Sequence, residues 1–258
     1  MTAAFNCIRY GMVLAFGVVV GSFLNVCIYR IPRRETVVTV PSHCMSCGYR
    51  LRWFDLIPVA SWLALRGKCR KCGAALSAQY PIVEAGNGLL WALTFAVCGW
   101  SAETALACLV LSALLVISVI DWRTYEIPPG LNLFIGAAGV LRLLLKPAGW
   151  PMALAGCAAV SGFLLLVYAV TRGRGIGGGD IKLMAAAGLF LGLANCITAF
   201  LFGCLYACLV HPVRMRRKKA GSMLALGPYL AAGILTAIWF GNRIVGWYLS
   251  LFTAAQGL

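Results

Sequence analysis

Charge is what this sequence has least of. Only 11% of its 258 residues are Asp, Glu, Lys or Arg, and only seven of these are acids. A soluble domain carries about a quarter charged residues. With 62% apolar residues, arranged in long unbroken runs, the chain is expected to be a membrane protein. No small-residue cleavage site closes the first apolar run. Arg9 alone precedes that run, while Arg30, Arg33 and Arg34 follow it, so it reads as an anchor rather than a removable signal. No Gly-Lys-Ser/Thr follows the glycine-rich stretch Gly175–Asp180, which argues against a phosphate-binding P-loop.

What is present is a series of apolar runs long enough to be counted as membrane spans. Eight are expected, at 10–29, 81–98, 104–120, 131–146, 152–170, 181–193, 195–210 and 223–240. The sixth and seventh are short enough to form a tight hairpin instead, and 244–254 is too short to span alone. Of the 22 Lys and Arg, 18 fall on one set of alternating loops, at 30–71, Arg123, Arg172 to Lys182 and 214–219. That bias predicts a cytoplasmic side for these loops and an outside location for both termini. The net charge of +15 is therefore a topology signal first and an attraction for anionic lipid second. Nucleic acid is not expected as a partner, because the charge is divided among separate short loops.

The long polar excursion, 31–80, holds Cys44-x-x-Cys47-Gly48 and Cys69-x-x-Cys72-Gly73. Two thiolates three positions apart grip one side of a tetrahedral zinc ion, and a second pair closes the site. The glycine after each pair lets the chain turn past the metal. Four sulfurs leave no open coordination position, so the expected role of Cys44, Cys47, Cys69 and Cys72 is structural, and His43 reads as a loop residue. Disulfides are disfavoured on a cytoplasmic face.

Among the acids, Asp121 ends the third apolar run and Asp180 opens the sixth, directly after Gly177-Gly178-Gly179. The two runs cross in opposite directions, so both carboxylates reach the same membrane edge. A carboxylate near hydrocarbon is costly and marks a functional site. Two that meet share one proton, which suits one as base on a water and the other as acid on a carbonyl. Two unrelated helix-end charges are the competing explanation, with Asp180 as a helix N-terminal acid and Asp121 paired with Arg123.

At this point the motifs, in order, resemble those of the type IV prepilin peptidases. The resemblance rests on Gly21-Ser22-Phe23-Leu24-Asn25-Val26 with Tyr29-Arg30-Ile31-Pro32, the two C-x-x-C pairs, and Asp55-Leu56-Ile57-Pro58 with Ser61-Trp62. It continues through Arg66-Gly67-Lys68-Cys69, Tyr80-Pro81-Ile82-Val83-Glu84, Asp121 with Ile127-Pro128, Gly177-Gly178-Gly179-Asp180 with Lys182, and Gly227-Pro228-Tyr229-Leu230. Three features depart from the family pattern: Pro129-Gly130 after Pro128, Leu226 before the Gly-Pro-Tyr block, and the heavy basic run 214–219.

The resemblance implies an all-α polytopic membrane enzyme with a first helix (1–30), a four-cysteine zinc domain (31–80) and a protease domain (81–258). It implies a multi-pass protein of the inner or plasma membrane whose active site faces the cytoplasm. It implies cleavage of the basic leader of type IV prepilins or type II secretion pseudopilins after a glycine, with Asp121 and Asp180 catalytic. It further implies methylation of the new N-terminus from S-adenosylmethionine, although no glycine-rich loop of a soluble methyltransferase is readable. The acids expected to receive a basic leader are Glu35, Asp55, Glu84 and Glu126, and the glycines Gly177, Gly178 and Gly179 would admit its backbone closely. Membrane lipid is the other expected partner, and self-association is compatible with the sequence. An ion-coupled transporter built on membrane acids is the alternative class, disfavoured because both acids sit at one edge.

Overall fold

The structure is a computed structural model that describes residues 2–218 and 224–255. Lys219, the last residue of the basic run, and Met223, the first of the eighth expected span, lie outside the described residues. Among the described residues every regular element is helical, and two isolated antiparallel bridges, His43 with Arg50 and Lys68 with Ala75, are the extended pairings. The chain divides into two compact units, Met1–Cys108 and Leu109–Leu258.

The first unit carries α1 (Thr2–Arg30), the short α2 (Ala60–Ala64), α3 (Gln79–Cys98) and the start of α4 (Ala102–Thr124). Helices α1 and α3 run antiparallel through a seam of small residues. A Cβ on Gly17 would lie 2.8 Å from the Gly88 Cα, and one on Gly21 would lie 2.7 Å from the Glu84 Cα. Lipid gives apolar side chains no reason to cluster, so backbones held this close supply the dispersion contact that pairs the helices. Polar groups in the seam close on backbone: Asn87 Nδ2 donates to the Gly17 carbonyl at 2.7 Å and Asn25 Nδ2 to the Tyr80 carbonyl at 3.2 Å. Two motifs separated in sequence, Gly21–Val26 and Tyr80–Glu84, thus form one helix contact.

The second unit holds the rest of α4, then α5 (Pro129–Leu145), α6 (Trp150–Val170), α7 (Gly178–Leu191), α8 (Leu193–Lys218) and α9 (Gly227–Ala255). Prolines at the first turns of α5 and α6 suit positions whose N–H has no helical acceptor. Helix α7 stops at Gly192, whose φ of 78° breaks the helical ladder before α8 begins. Glycines again set the crossings, Gly156 against Gly188 between α6 and α7, and Gly203 against Gly233 between α8 and α9.

Six helices are long and apolar enough to cross a membrane: α1, α3, α4, α6, α8 and α9. The expected fourth span corresponds to α5, a shorter apolar helix of 17 residues, and the sixth to α7, of 14 residues. At about 1.5 Å per residue, neither reaches the roughly 30 Å of a hydrocarbon core by itself. A second difference lies at the C-terminal end. The stretch 244–254 is not a separate element, because α9 continues from Gly227 to Ala255. Gly241-Asn242-Arg243 lowers the hydropathy there without interrupting the backbone hydrogen bonds, so a polar break in sequence is not a break in the helix.

Candidate active site and cysteine cluster

Helix α4 is covered around most of its circumference, with 67% of its apolar window buried against 22–39% in the other five long helices. Val110, Ile117 and Ile120 have 0–1% of their surface exposed. Asp121, at the end of this helix, is consequently shielded, with 5% exposure. A buried carboxylate needs donors, and one comes from the start of α9, where the Gly227 N–H donates to Asp121 Oδ2 at 2.9 Å. The first N–H groups of a helix have no intrahelical acceptor and carry the positive end of its dipole, so α9 begins on the acid it stabilises. A Cβ on Gly227 would lie 2.8 Å from Asp121 Oδ2, so any larger residue here would displace the carboxyl.

Asp180 occupies the first turn of α7 and is also buried, with 8% exposure. Gly177 is the N-cap in an extended conformation, and its backbone hydrogen-bonds the Asp180 carboxyl. Asp180 is therefore in part the helix N-terminal acid considered from sequence. It is also within electrostatic range of Asp121. Around them the glycines have distinct duties. A Cβ on Gly179 would lie 2.9 Å from the Ile127 Cβ, so this glycine seats the turn after α4 on α7. A Cβ on Gly177 would lie 3.0 Å from Asp180 Oδ2, whereas Gly178 faces open space.

The remaining acids divide by environment. Glu126 and Glu35 are exposed. Glu84, in the first unit, is buried, and its Oε2 accepts the Val59 N–H at 2.7 Å, which fixes the start of α2. Asp55 pairs with Arg70 Nε at 2.7 Å and also accepts from the Arg52 N–H and the Tyr49 hydroxyl. Burial pushes the Asp55 carboxyl up, but these donors and the Arg70 charge outweigh it and hold the group below its ordinary value. Sequence reasoning did not find the Gly227 donor, or Asn132 and Tyr229, buried residues in the second unit whose side-chain polar atoms find no partner among the described residues.

The four cysteines converge. Their sulfurs all lie within 4.8 Å of one another, and Cys44 and Cys72 Sγ are 3.9 Å apart. A tetrahedral zinc site with Zn–S of about 2.3 Å needs a separation close to that. Each pair is framed identically. The Gly48 N–H donates to the Cys44 carbonyl and the Cys44 N–H to the Tyr49 carbonyl, just as Gly73 donates to Cys69 and Cys69 to Ala74. Gly48 and Gly73 take φ of 67° and 70°, the left-handed turn that glycine permits. Backbone N–H groups of Cys47 and Ser46 bring the Cys44 thiol down to about 6, while against the Ala74 N–H the neighbouring sulfurs push the Cys72 thiol up to about 11. The four thiols thus share their protons, and the geometry rather than the titration speaks for a metal. His43 Nδ1 lies 3.2 Å from the Pro41 carbonyl and is not among the clustered ligands. The cluster fits a four-sulfur zinc site.

Two family models match this chain. Residues 15–98 match the bacterial peptidase A24 N-terminal domain, and residues 108–212 match the type IV leader peptidase family. A prepilin leader peptidase/N-methyltransferase of Bacillus subtilis is 34% identical over 242 residues, covering 92% of this chain and 96% of the relative. The protein of the same name from Burkholderia pseudomallei is 34% identical over 281 residues, with 93% and 89% covered. The one from Pseudomonas putida is 34% identical over 267 residues, with 88% and 89% covered. No solved structure matches the chain. With its two domain matches in order and relatives at 34% identity aligned over most of both chains, the chain belongs to the type IV leader peptidase family.

Proposed function

We propose that this protein is a membrane aspartic endopeptidase that removes the basic leader of type IV prepilins or type II secretion pseudopilins, cutting after a glycine at the cytoplasmic face. The observation that carries this reading is the juxtaposition of Asp121 and Asp180, both buried and within electrostatic range, at the ends of α4 and α7. Two such carboxyls cannot both be ionised without strong repulsion, so they hold one proton between them. The ionised member takes a proton from water as that water attacks the scissile carbonyl. The protonated member donates to the carbonyl oxygen as negative charge develops there. The Gly227 N–H holds Asp121 in place, and Gly178, which faces open space, leaves room ahead of Asp180 for an extended substrate backbone.

Of the four acids expected to receive the leader, Glu84 and Asp55 are already engaged by Val59 and Arg70. The exposed Glu126 and Glu35 remain for its Lys and Arg. We further propose a structural zinc on Cys44, Cys47, Cys69 and Cys72, which would fix the fold of the 31–80 domain and take no part in hydrolysis. N-methylation of the new N-terminus, with S-adenosylmethionine as cosubstrate, is proposed from the names of the relatives.

The experiment is cleavage of a synthetic prepilin segment by the purified protein beside Asp121→Asn and Asp180→Asn, with products identified by mass spectrometry. A single cut after glycine, lost in both variants, is the expected result. Adding S-adenosylmethionine should add the mass of one methyl group to the new N-terminal fragment. Persistent cleavage in either variant would remove the aspartate mechanism.

A further inference from the structure

Asn132 lies in the first turns of α5, is 5% exposed, and leaves both its amide nitrogen and its amide oxygen without a partner among the described residues. Burying an amide with neither end satisfied is costly, and a site that persists at such a cost is explained when something else completes it. Its place in the fold narrows what that is. Helices α5 and α7 run parallel, and the glycine contacts fix their register: a Cβ on Gly136 would lie 3.8 Å from the Ala186 Cβ, and one on Gly139 would lie 3.0 Å from the Leu189 Cβ, both offset by 50 residues. The same alignment puts Asn132 opposite Lys182 and next to Leu183, two residues beyond Asp180. At 1.5 Å per residue this is about 3 Å deeper. Side chains on both helices lean toward their N-termini, so the amide of Asn132 stays about one half-turn deeper than the Asp180 carboxyl, on the face of α5 that Gly136 and Gly139 turn to α7.

We infer that Asn132 is a substrate-binding residue, whose carboxamide takes one N–H and one C=O of the substrate main chain beside the scissile bond. A side-chain amide offers a donor and an acceptor on one plane, the same pair that an extended peptide presents. Two hydrogen bonds to the main chain hold the scissile carbonyl between the carboxyls without reading the side chains around it. This assignment rests on the peptidase reading, and it adds a residue that the two aspartates do not supply.

The test compares the full-length protein with Asn132→Leu, which keeps the branched heavy-atom shape without polar atoms, and with Asn132→Ala should leucine not be accommodated. Each is assayed for thermal unfolding and for cleavage of two prepilin peptides, one all-amide and one carrying an N-methyl group on a backbone nitrogen next to the scissile bond. Free of its unpaired amide, Asn132→Leu should unfold at the same temperature as the unsubstituted protein or higher. It should lose about 10- to 100-fold in kcat/KM on the all-amide peptide. It should also discriminate less between the two peptides than the unsubstituted protein does. Undiminished cleavage by Asn132→Leu, with Asp121→Asn and Asp180→Asn inactive, would overturn this assignment alone. So would a variant that unfolds at lower temperature while keeping the full discrimination, since that is the behaviour of a purely structural residue. Failure of the unsubstituted protein to cut the all-amide peptide would remove the peptidase reading and this assignment with it.

Discussion

Replacing Gly227 by alanine should damage catalysis through one contact. The new Cβ would sit 2.8 Å from Asp121 Oδ2 and 3.1 Å from its Cγ, so the carboxyl must move aside by several tenths of an ångström. That movement lengthens or breaks the 2.9 Å bond from the Gly227 N–H. A hydrogen bond to an ionised acceptor contributes about 1.5–3 kcal/mol, which corresponds to roughly 10- to 100-fold in rate. A displaced catalytic group adds to the loss rather than offsetting it. The assay is kcat and KM on a prepilin peptide. The expected loss falls in kcat, since the substitution touches the acid and not the substrate. Gly246→Ala, in the same helix with nothing within 4 Å of the new methyl, is the control and should cleave like the unsubstituted protein. A folded Gly227→Ala protein with undiminished kcat would refute the reasoning, because it would show that the position of Asp121 is not held by the start of α9.

Metal analysis of protein purified without chelator should find a single zinc per chain, and Cys47→Ser should lower the metal content and make the 31–80 region sensitive to protease. Zinc-free protein with an intact, protease-resistant domain would sink the assignment. The Asp55–Arg70 pair gives a pH signature. Because the folded carboxyl titrates below its ordinary value, its stabilisation is fully present above the unfolded value of about 3.9 and is lost as pH falls through the lower folded value. Arg70 is 47% exposed, so water screens the pair. Arg70→Ala should therefore cost about 1 kcal/mol or less at neutral pH, and the difference should vanish in acid. A deficit that persists unchanged in acid would show that Arg70 acts by packing and not by charge.

Much of this protein was legible from its sequence, because the signals are local. Apolar runs report a lipid environment through composition alone. The repeated C-x-x-C-G reports a metal knuckle because all the geometry of each knuckle lies within a few residues. Asp121 and Asp180 stood out because an acid at the end of an apolar run is anomalous wherever the rest of the chain goes. Helices α5 and α7 were counted beside the six long spans because hydropathy measures how apolar a run is and not how far its helix extends. The continuation of α9 past Arg243 was missed for the converse reason.

What the tertiary structure alone decided is which groups meet. Glu84 looked equivalent to Glu126 as a leader acid until the fold placed Val59, 25 residues away, on its carboxylate. The donor to Asp121 comes from 106 residues further on, and no pattern around either residue announces it. Asn132 is an ordinary polar residue in the sequence, and its two unpaired atoms appear only when neighbouring helices close over it. Composition and short spacing fix what each segment is, because solvation and turn geometry act within a few residues. Hydrogen bonds between helices depend on the register at which distant backbones cross, and that register is set by packing.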